Sequence, residues 1–246
     1  MKSRRFHVST MILCAAAFLC TGCKYAPGRP GPEAPRPSQV VSFPDLYNQN
    51  CAACHGENGK DGAAISLGNP VYLSIVGVDK LEQVTANGIQ GTLMPPFAKN
   101  QGGMLTDQQI SVIAQGMVSA WGNSNALAGQ NPPAYASTAA GNIESGQQSF
   151  TVFCANCHGA DGTGVQHGNI NSGSIVDPAY LALVSDQGLR SLIIAGQPGQ
   201  GMPDWKSDVT GAGSRPMTDQ EVTDIVAWLG SHRIAAPGQP YTHSTD

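Results

Sequence analysis

Two five-residue stretches hold the reactive side chains of this chain: Cys51-Ala52-Ala53-Cys54-His55 and Cys154-Ala155-Asn156-Cys157-His158, each followed by glycine and 103 positions apart. Two thiols separated by two residues, with an imidazole next in line, allow three chemistries. Zinc sites of the paired CxxC type place their pairs about 15–20 residues apart. Here the pairs are a domain apart, and each has its own histidine. A dithiol redox couple belongs in a βαβ setting, which the surrounding pattern does not offer. The third chemistry fits. Two such thiols at the end of a helix reach the two vinyl groups of one porphyrin, and the adjoining imidazole comes beneath the iron. C-x-x-C-H is the attachment signature of c-type haem.

The remaining cysteines support this reading. The chain has seven. Lys2, Arg4 and Arg5 precede the mostly apolar run Val8–Cys20, which is shorter than the roughly 20 residues a spanning helix needs. It reads as an export signal over residues 1–22. Leu19-Cys20-Thr21-Gly22-Cys23 resembles the lipobox of bacterial lipoproteins, in which the last cysteine is lipidated and becomes the new N-terminus; the departure is Cys20, where leucine is usual. The alternative is ordinary signal cleavage that leaves Cys23 free. Cys14 and Cys20 leave with the signal, and every cysteine beyond Cys23 lies in a CxxCH motif. No separate disulfide framework is expected.

The elements that position these motifs come in two copies. Gly59 and Gly162 share the 103-residue offset, while Pro70/Pro178, Tyr72/Tyr180, Leu81/Leu189, Gly88/Gly196, Met94/Met202, Pro95/Pro203 and Phe97/Trp205 align at 108. Thr106/Thr218 and Ile110/Val222 align at 112, so the second copy has extra residues after its CxxCH and again after its methionine. An ordered register of this kind is an internal duplication. Each copy reads as helical. Phe43–Ala53 and Ser145–Asn156 lead into the motifs, a middle helix ends near Gly88 or Gly196, and a last helix begins at the capping boxes Thr106-x-x-Gln109 and Thr218-x-x-Glu221. Ile110, Ile113, Met117 and Trp121 then follow helical spacing, as do Val222, Ile225, Val226 and Leu229. Met104 and Met217, just ahead of the capping threonines, are expected to pack as hydrophobic staples.

The organisation read from this is a signal (1–22), a lipidated Pro-rich tether (23–40), a first domain (41–122), a linker (123–140), a second domain (141–235) and a tail (236–246). Five prolines between Lys24 and Gln39 argue against helix or sheet there. Such small cores are marginal alone, so a bound cofactor at each centre is expected.

Both halves resemble small class I c-type cytochromes, over about Phe43–Trp121 and Gly141–Arg233. The resemblance implies an all-α fold of two homologous cytochrome c-like domains in tandem, with two covalently bound haem c groups. It implies that Cys51, Cys54, Cys154 and Cys157 attach the haems, that His55 and His158 ligate iron, and that Met94 and Met202 complete the ligation from loops with a following proline. It further implies that a proline carbonyl, at Pro70 and Pro178, accepts the second ring N–H of each histidine. Of the other histidines, His167 is the one rival ligand; His232 and His243 are expected to be solvated or locally bonded.

A haem iron with both axial positions filled moves electrons without binding substrate. The expected function is therefore electron transfer outside the cytoplasm between a membrane-associated donor and acceptor. The protein would be a carrier more than an enzyme, held by lipid on Cys23 at the periplasmic side of a membrane of the bacterial envelope. The alternatives are a haem enzyme, such as a dihaem peroxidase or sulfur-compound oxidase, and a fixed cytochrome subunit of a larger respiratory or photosynthetic complex. Charged residues make up 12% of the chain and net charge is −4, falling to −7 if the signal is removed before Cys23. That excludes the basic face of a nucleic-acid binder. Residues 141–246 carry net −6 against −3 for 41–140, which favours a basic partner for the second half.

Overall fold

The structure is a computed structural model and describes residues 33–167, 170–207 and 215–234. The export segment, Cys23, most of the Pro-rich stretch, the tail and His243 lie outside the described residues. Residues up to Gln39 form a unit of their own. Its described part includes one 3-10 turn at Pro37–Gln39, in which Gln39 Oε1 accepts from the Arg36 amide at 2.8 Å.

In the first half, helix α1 (Phe43–Asn50) runs into the single turn α2 (Ala52–His55), with Cys51 between them at φ −119°. Helices α3 (Pro70–Val76) and α4 (Val78–Asn87) follow, and α5 (Asp107–Trp121) closes the half. The capping box holds: the Gln109 amide donates to Thr106 Oγ1 at 3.2 Å and the Thr106 amide to Gln109 Oε1 at 3.0 Å. Ile110, Ile113, Ala114 and Met117 form the buried stripe of α5. Helix α1 lies against α5 through aromatic edges, with Phe43 and Tyr47 at 5.3 and 4.8 Å from the Trp121 ring. Gly116 permits this approach, because a Cβ there would come within 2.3 Å of the Phe43 ring.

The second half repeats the plan with α6 (Ile143–Phe153), α7 (Ala155–His158), α8 (Pro178–Leu183), α9 (Asp186–Ala195) and α10 (Asp219–Ser231). Here the close crossing uses a glycine on the other helix: a Cβ on Gly146 of α6 would meet the Asp224 carbonyl oxygen of α10 at 2.0 Å. Phe150 and Trp228 stack across the crossing at 4.3 Å. The fold is all-α, as expected, with one addition. The extra residues after the second CxxCH form a small antiparallel hairpin, β1 (Val165–His167) and β2 (Ile170–Ser172).

One sequence expectation is corrected. Met104 is 81% exposed and staples nothing; the residue directly before the capping threonine, Leu105, is the buried one. In the second half that position is Met217, which does pack against the core. Residues 123–140, expected to act as a linker, are bound along the second half. Arg190 is 4% exposed. It donates from Nε to the Ala134 carbonyl at 2.9 Å, from Nη1 to Thr223 Oγ1 at 2.9 Å, and from Nη2 to Asp219. Gln187 Nε2 donates to the Tyr135 carbonyl at 2.7 Å and Lys206 Nζ to the Ala126 carbonyl at 3.0 Å.

Candidate haem sites

Each CxxCH motif forms the same turn. The Cys51 carbonyl accepts from the Cys54 and His55 amides at 3.2 and 3.0 Å, and the Cys154 carbonyl from Cys157 and His158 at 3.1 and 3.0 Å. Gly56 and Gly159 end the turns at φ 80° and 79°. At Gly56 this is obligatory, since a Cβ would lie 1.7 Å from the Lys60 carbonyl oxygen. All four cysteines are free thiols. Burial, then the neighbouring Cys54, pushes the Cys51 thiol up to about 11; burial, then Cys157, pushes Cys154 up to about 12. Both are therefore neutral thiols at pH 7.

The histidines differ. His55 is buried, with Nδ1 at 2.8 Å from the Ile65 carbonyl oxygen. A carbonyl only accepts, so Nδ1 must carry the proton and Nε2 is left with a free lone pair. That is the tautomer a metal-ligating imidazole needs. Burial lowers the His55 pKa and so favours the neutral ring, partly offset by the bond to Ile65. The expected acceptor was Pro70. Instead Pro70 opens α3, and its carbonyl accepts from Ser74 Oγ at 2.8 Å. Pro178 likewise opens α8. His158 Nδ1 is buried and has no hydrogen-bond partner among the described residues. Burial lowers the pKa of His158 as well.

Met94 and Met202 are half-buried and stand in loops anchored on α4 and α9, not on the elements that carry the CxxCH turns. The anchoring is the same in both halves. The Phe97 amide donates to the Thr85 carbonyl and the Trp205 amide to the Ile194 carbonyl, each at 3.1 Å. Gly88 and Gly196, at φ 66° and 65°, end α4 and α9. A Cβ on Gly88 would lie 2.6 Å from the Met94 carbonyl oxygen, and one on Gly196 would lie 2.7 Å from that of Met202. Sequence alignment paired these glycines but did not show what they clear. His232 bonds locally, Nδ1 to the Trp228 carbonyl at 2.9 Å. The side chain of His167, the rival ligand, lies outside the described set.

Among the described residues, no group of three or more His, Cys, Asp or Glu side chains is placed to hold a metal ion directly. The paired thiols of each CxxCH turn and the His55 tautomer fit a covalently attached haem.

Comparison with known proteins gives the same answer for each half. Residues 143–233 match the cytochrome c family, and residues 39–115 match the family of cytochrome c oxidase, cbb3-type, subunit III. Each half thus carries a c-type cytochrome domain, two in tandem, each implying covalent haem c. It is 30% identical over 134 residues to the cbb3-type cytochrome c oxidase subunit FixP of Sinorhizobium medicae, covering 51% of this chain and 40% of that protein. It is 29% identical over 153 residues to the subunit CcoP of Rubrivivax gelatinosus (62% of this chain, 44% of that protein). It is 25% identical over 175 residues to the subunit FixPc of Rhizobium leguminosarum bv. viciae (68% and 54%). The chain thus spans about half the length of the curated relatives it matches. Among solved structures, a chain of a reducing HAO-like protein complex of Kuenenia stuttgartiensis overlays with a TM-score of 0.43 at 15% identity, over 84% of this chain and 100% of that one. Among the described residues no helix is long and apolar enough to cross a membrane.

Proposed function

We propose that this protein relays electrons outside the cytoplasm between a membrane-associated donor and acceptor. In this reading residues 41–122 and 141–235 are its two haem domains, and a lipid on Cys23 is its anchor. Each haem supplies an iron that cycles between two oxidation states. His55 and Met94 hold the first iron, and His158 and Met202 the second. The Ile65 carbonyl keeps the His55 proton on Nδ1 and so presents Nε2 as the ligand. Thioether sulfur on the other side raises the reduction potential. Held by these pairs of side chains, neither iron would be open to a substrate, and the chemistry each haem would supply is electron exchange.

The observation that carries this reading is the repetition of one site in one chain: the same CxxCH turn and the same glycine-cleared methionine loop. Absorbance of the pyridine adduct of the purified protein should count two haems per chain. The weak far-red sulfur–iron band should fall by about half in Met94→Ala and again in Met202→Ala, with the haem count unchanged. A variant that keeps the whole band removes that methionine from the assignment. Cys23→Ser should move the protein from the detergent phase to the aqueous phase.

The names of the relatives favour a second reading, a fixed cytochrome subunit of a larger oxidase assembly. Extraction in mild detergent separates the two. A relay migrates free, whereas a fixed subunit migrates with stoichiometric partners.

A further inference from the structure

Asn69 and Asp177 occupy equivalent places in the two halves and perform the same local task. Each is the residue before a proline-led helix. Asn69 Oδ1 accepts from the Val71 and Tyr72 amides at 2.9 and 3.3 Å; Asp177 Oδ1 accepts from Ala179 and Tyr180 at 2.8 and 3.0 Å. A carboxylate therefore serves the cap as well as an amide does. The amide at position 69 has a further use. Its Nδ2 donates to the carbonyls of Ala195 and Gly196, at 2.9 and 3.1 Å, across 126 and 127 positions of sequence. Asn69 is 5% exposed. Asp177, which has no such contact, is exposed.

The two ends of this bond matter to the two sites. Asn69 follows Ile65, whose carbonyl holds His55, by four residues. Gly196 ends α9 and is the glycine that clears the carbonyls of Met202 and Pro203. A second contact joins the same halves. The hydroxyls of Tyr72, on α3, and Tyr135 of the connecting segment interact electrostatically. Tyr135 is in turn held to α9 by Gln187.

We propose that Asn69 is a positioning residue for electron exchange within the chain. It sets the histidine-bearing side of the first haem site against the methionine-bearing loop of the second, and so fixes the separation of the two centres. The proposal rests on the two-haem relay reading above, and its test is separable from it.

The substitution Asn69→Asp keeps the cap and removes the donor, leaving a carboxylate facing two carbonyl oxygens. In the haem-loaded full-length protein, Asn69→Asp should keep two haems per chain and the full far-red band. Hydrogen exchange over Ala195–Met202 and 126–135 should speed up about tenfold or more, the loss expected for buried hydrogen bonds left unmade, with exchange over α5 unchanged. Electron equilibration between the haems after photoreduction should slow. The reciprocal Asp177→Asn should leave all of these as in the natural chain. Tyr135→Phe, which disturbs the same contact without a new charge, should speed exchange over Ala195–Met202 by a smaller factor. Unchanged exchange there in both Asn69→Asp and Tyr135→Phe, or unchanged inter-haem equilibration in an Asn69→Asp protein whose exchange has risen, overturns the proposal. Absence of inter-haem equilibration in the natural chain defeats the relay reading instead, and the exchange measurements still decide whether Asn69 ties the halves.

Discussion

His55 Nδ1 lies 2.8 Å from the carbonyl oxygen of Ile65. In the second half the same atom of His158 is buried without an acceptor among the described residues. One chain thus carries two copies of a site that differ in how the imidazole is supported. A hydrogen bond to the far nitrogen makes the ring a stronger donor and stabilises the oxidised metal. The first centre should therefore titrate at the lower potential. If the bond is worth about 1 kcal/mol, the gap for one electron is about 40 mV. Spectropotentiometry of the two-haem protein measures it. Nitrogen-15 histidine labelling of the reduced protein should show a slowly exchanging Nδ1 proton from His55 and a faster one from His158.

The glycines behind the methionine loops should not tolerate a methyl group. Gly88→Ala combines backbone strain of about 1–3 kcal/mol with a Cβ placed 2.6 Å from the Met94 carbonyl oxygen. It should lower the thermal midpoint and remove the far-red band of the first centre, with both haems still attached. Gly77→Ala provides the contrast. Gly77 has φ 71° but nothing within 4 Å of the added atom, so it should cost stability and leave the band intact.

Acid should act on the second half before the first. Arg215, bonded through both guanidinium nitrogens, holds Glu221 well below the usual carboxylate range, at about 2, with burial opposing and the Thr218 cap assisting. Because the folded pKa is depressed, its stabilisation is complete above the unfolded value of about 4.3 and is lost as pH falls toward 2. The matching position in the first half is Gln109, which does not titrate. Thermal melts followed at each haem between pH 5 and 2.5 should show the second half losing its midpoint earlier. Glu221→Gln should flatten that dependence.

Arg190→Met removes three hydrogen bonds in one step, two of them to Asp219 and the Ala134 carbonyl. Hydrogen bonds made by a charged group contribute about 1.5–3 kcal/mol each, and the partly exposed Asp219 recovers some of this from water. Residues 126–138 should become open to proteolysis in this variant while the natural chain resists, as gel analysis of a timed digest would show.

What was readable in the sequence was what is local. CxxCH is one turn of chain, so its spacing carries its geometry. The capping boxes Thr106–Gln109 and Thr218–Glu221 span three residues, and both formed. The helix ends at Gly88 and Gly196 followed from glycine at the end of an apolar pattern. The misses all involve partners chosen in three dimensions. The resemblance to class I cytochromes pointed to Pro70 as the carbonyl opposite His55, but Pro70 opens a helix and its carbonyl accepts from Ser74. Met104 was apolar and near the cap, but Leu105 occupies the position that packs. The sequence marked 123–140 as a linker but did not show that its carbonyls meet Arg190, Gln187 and Lys206, which lie 52 to 80 residues further along. Nothing at Asn69 distinguished its cap from that of Asp177 until the second carbonyl pair came within reach.

The way the connector lies determines where the molecule can be divided. A fragment begun at Gly141 would strip Arg190 and Gln187 of the carbonyls they grip, and its α9 would face water along a side built for main chain. One begun at Asn123 brings that lining with it. Any attempt to swap or transplant the second unit should therefore carry those eighteen residues with it.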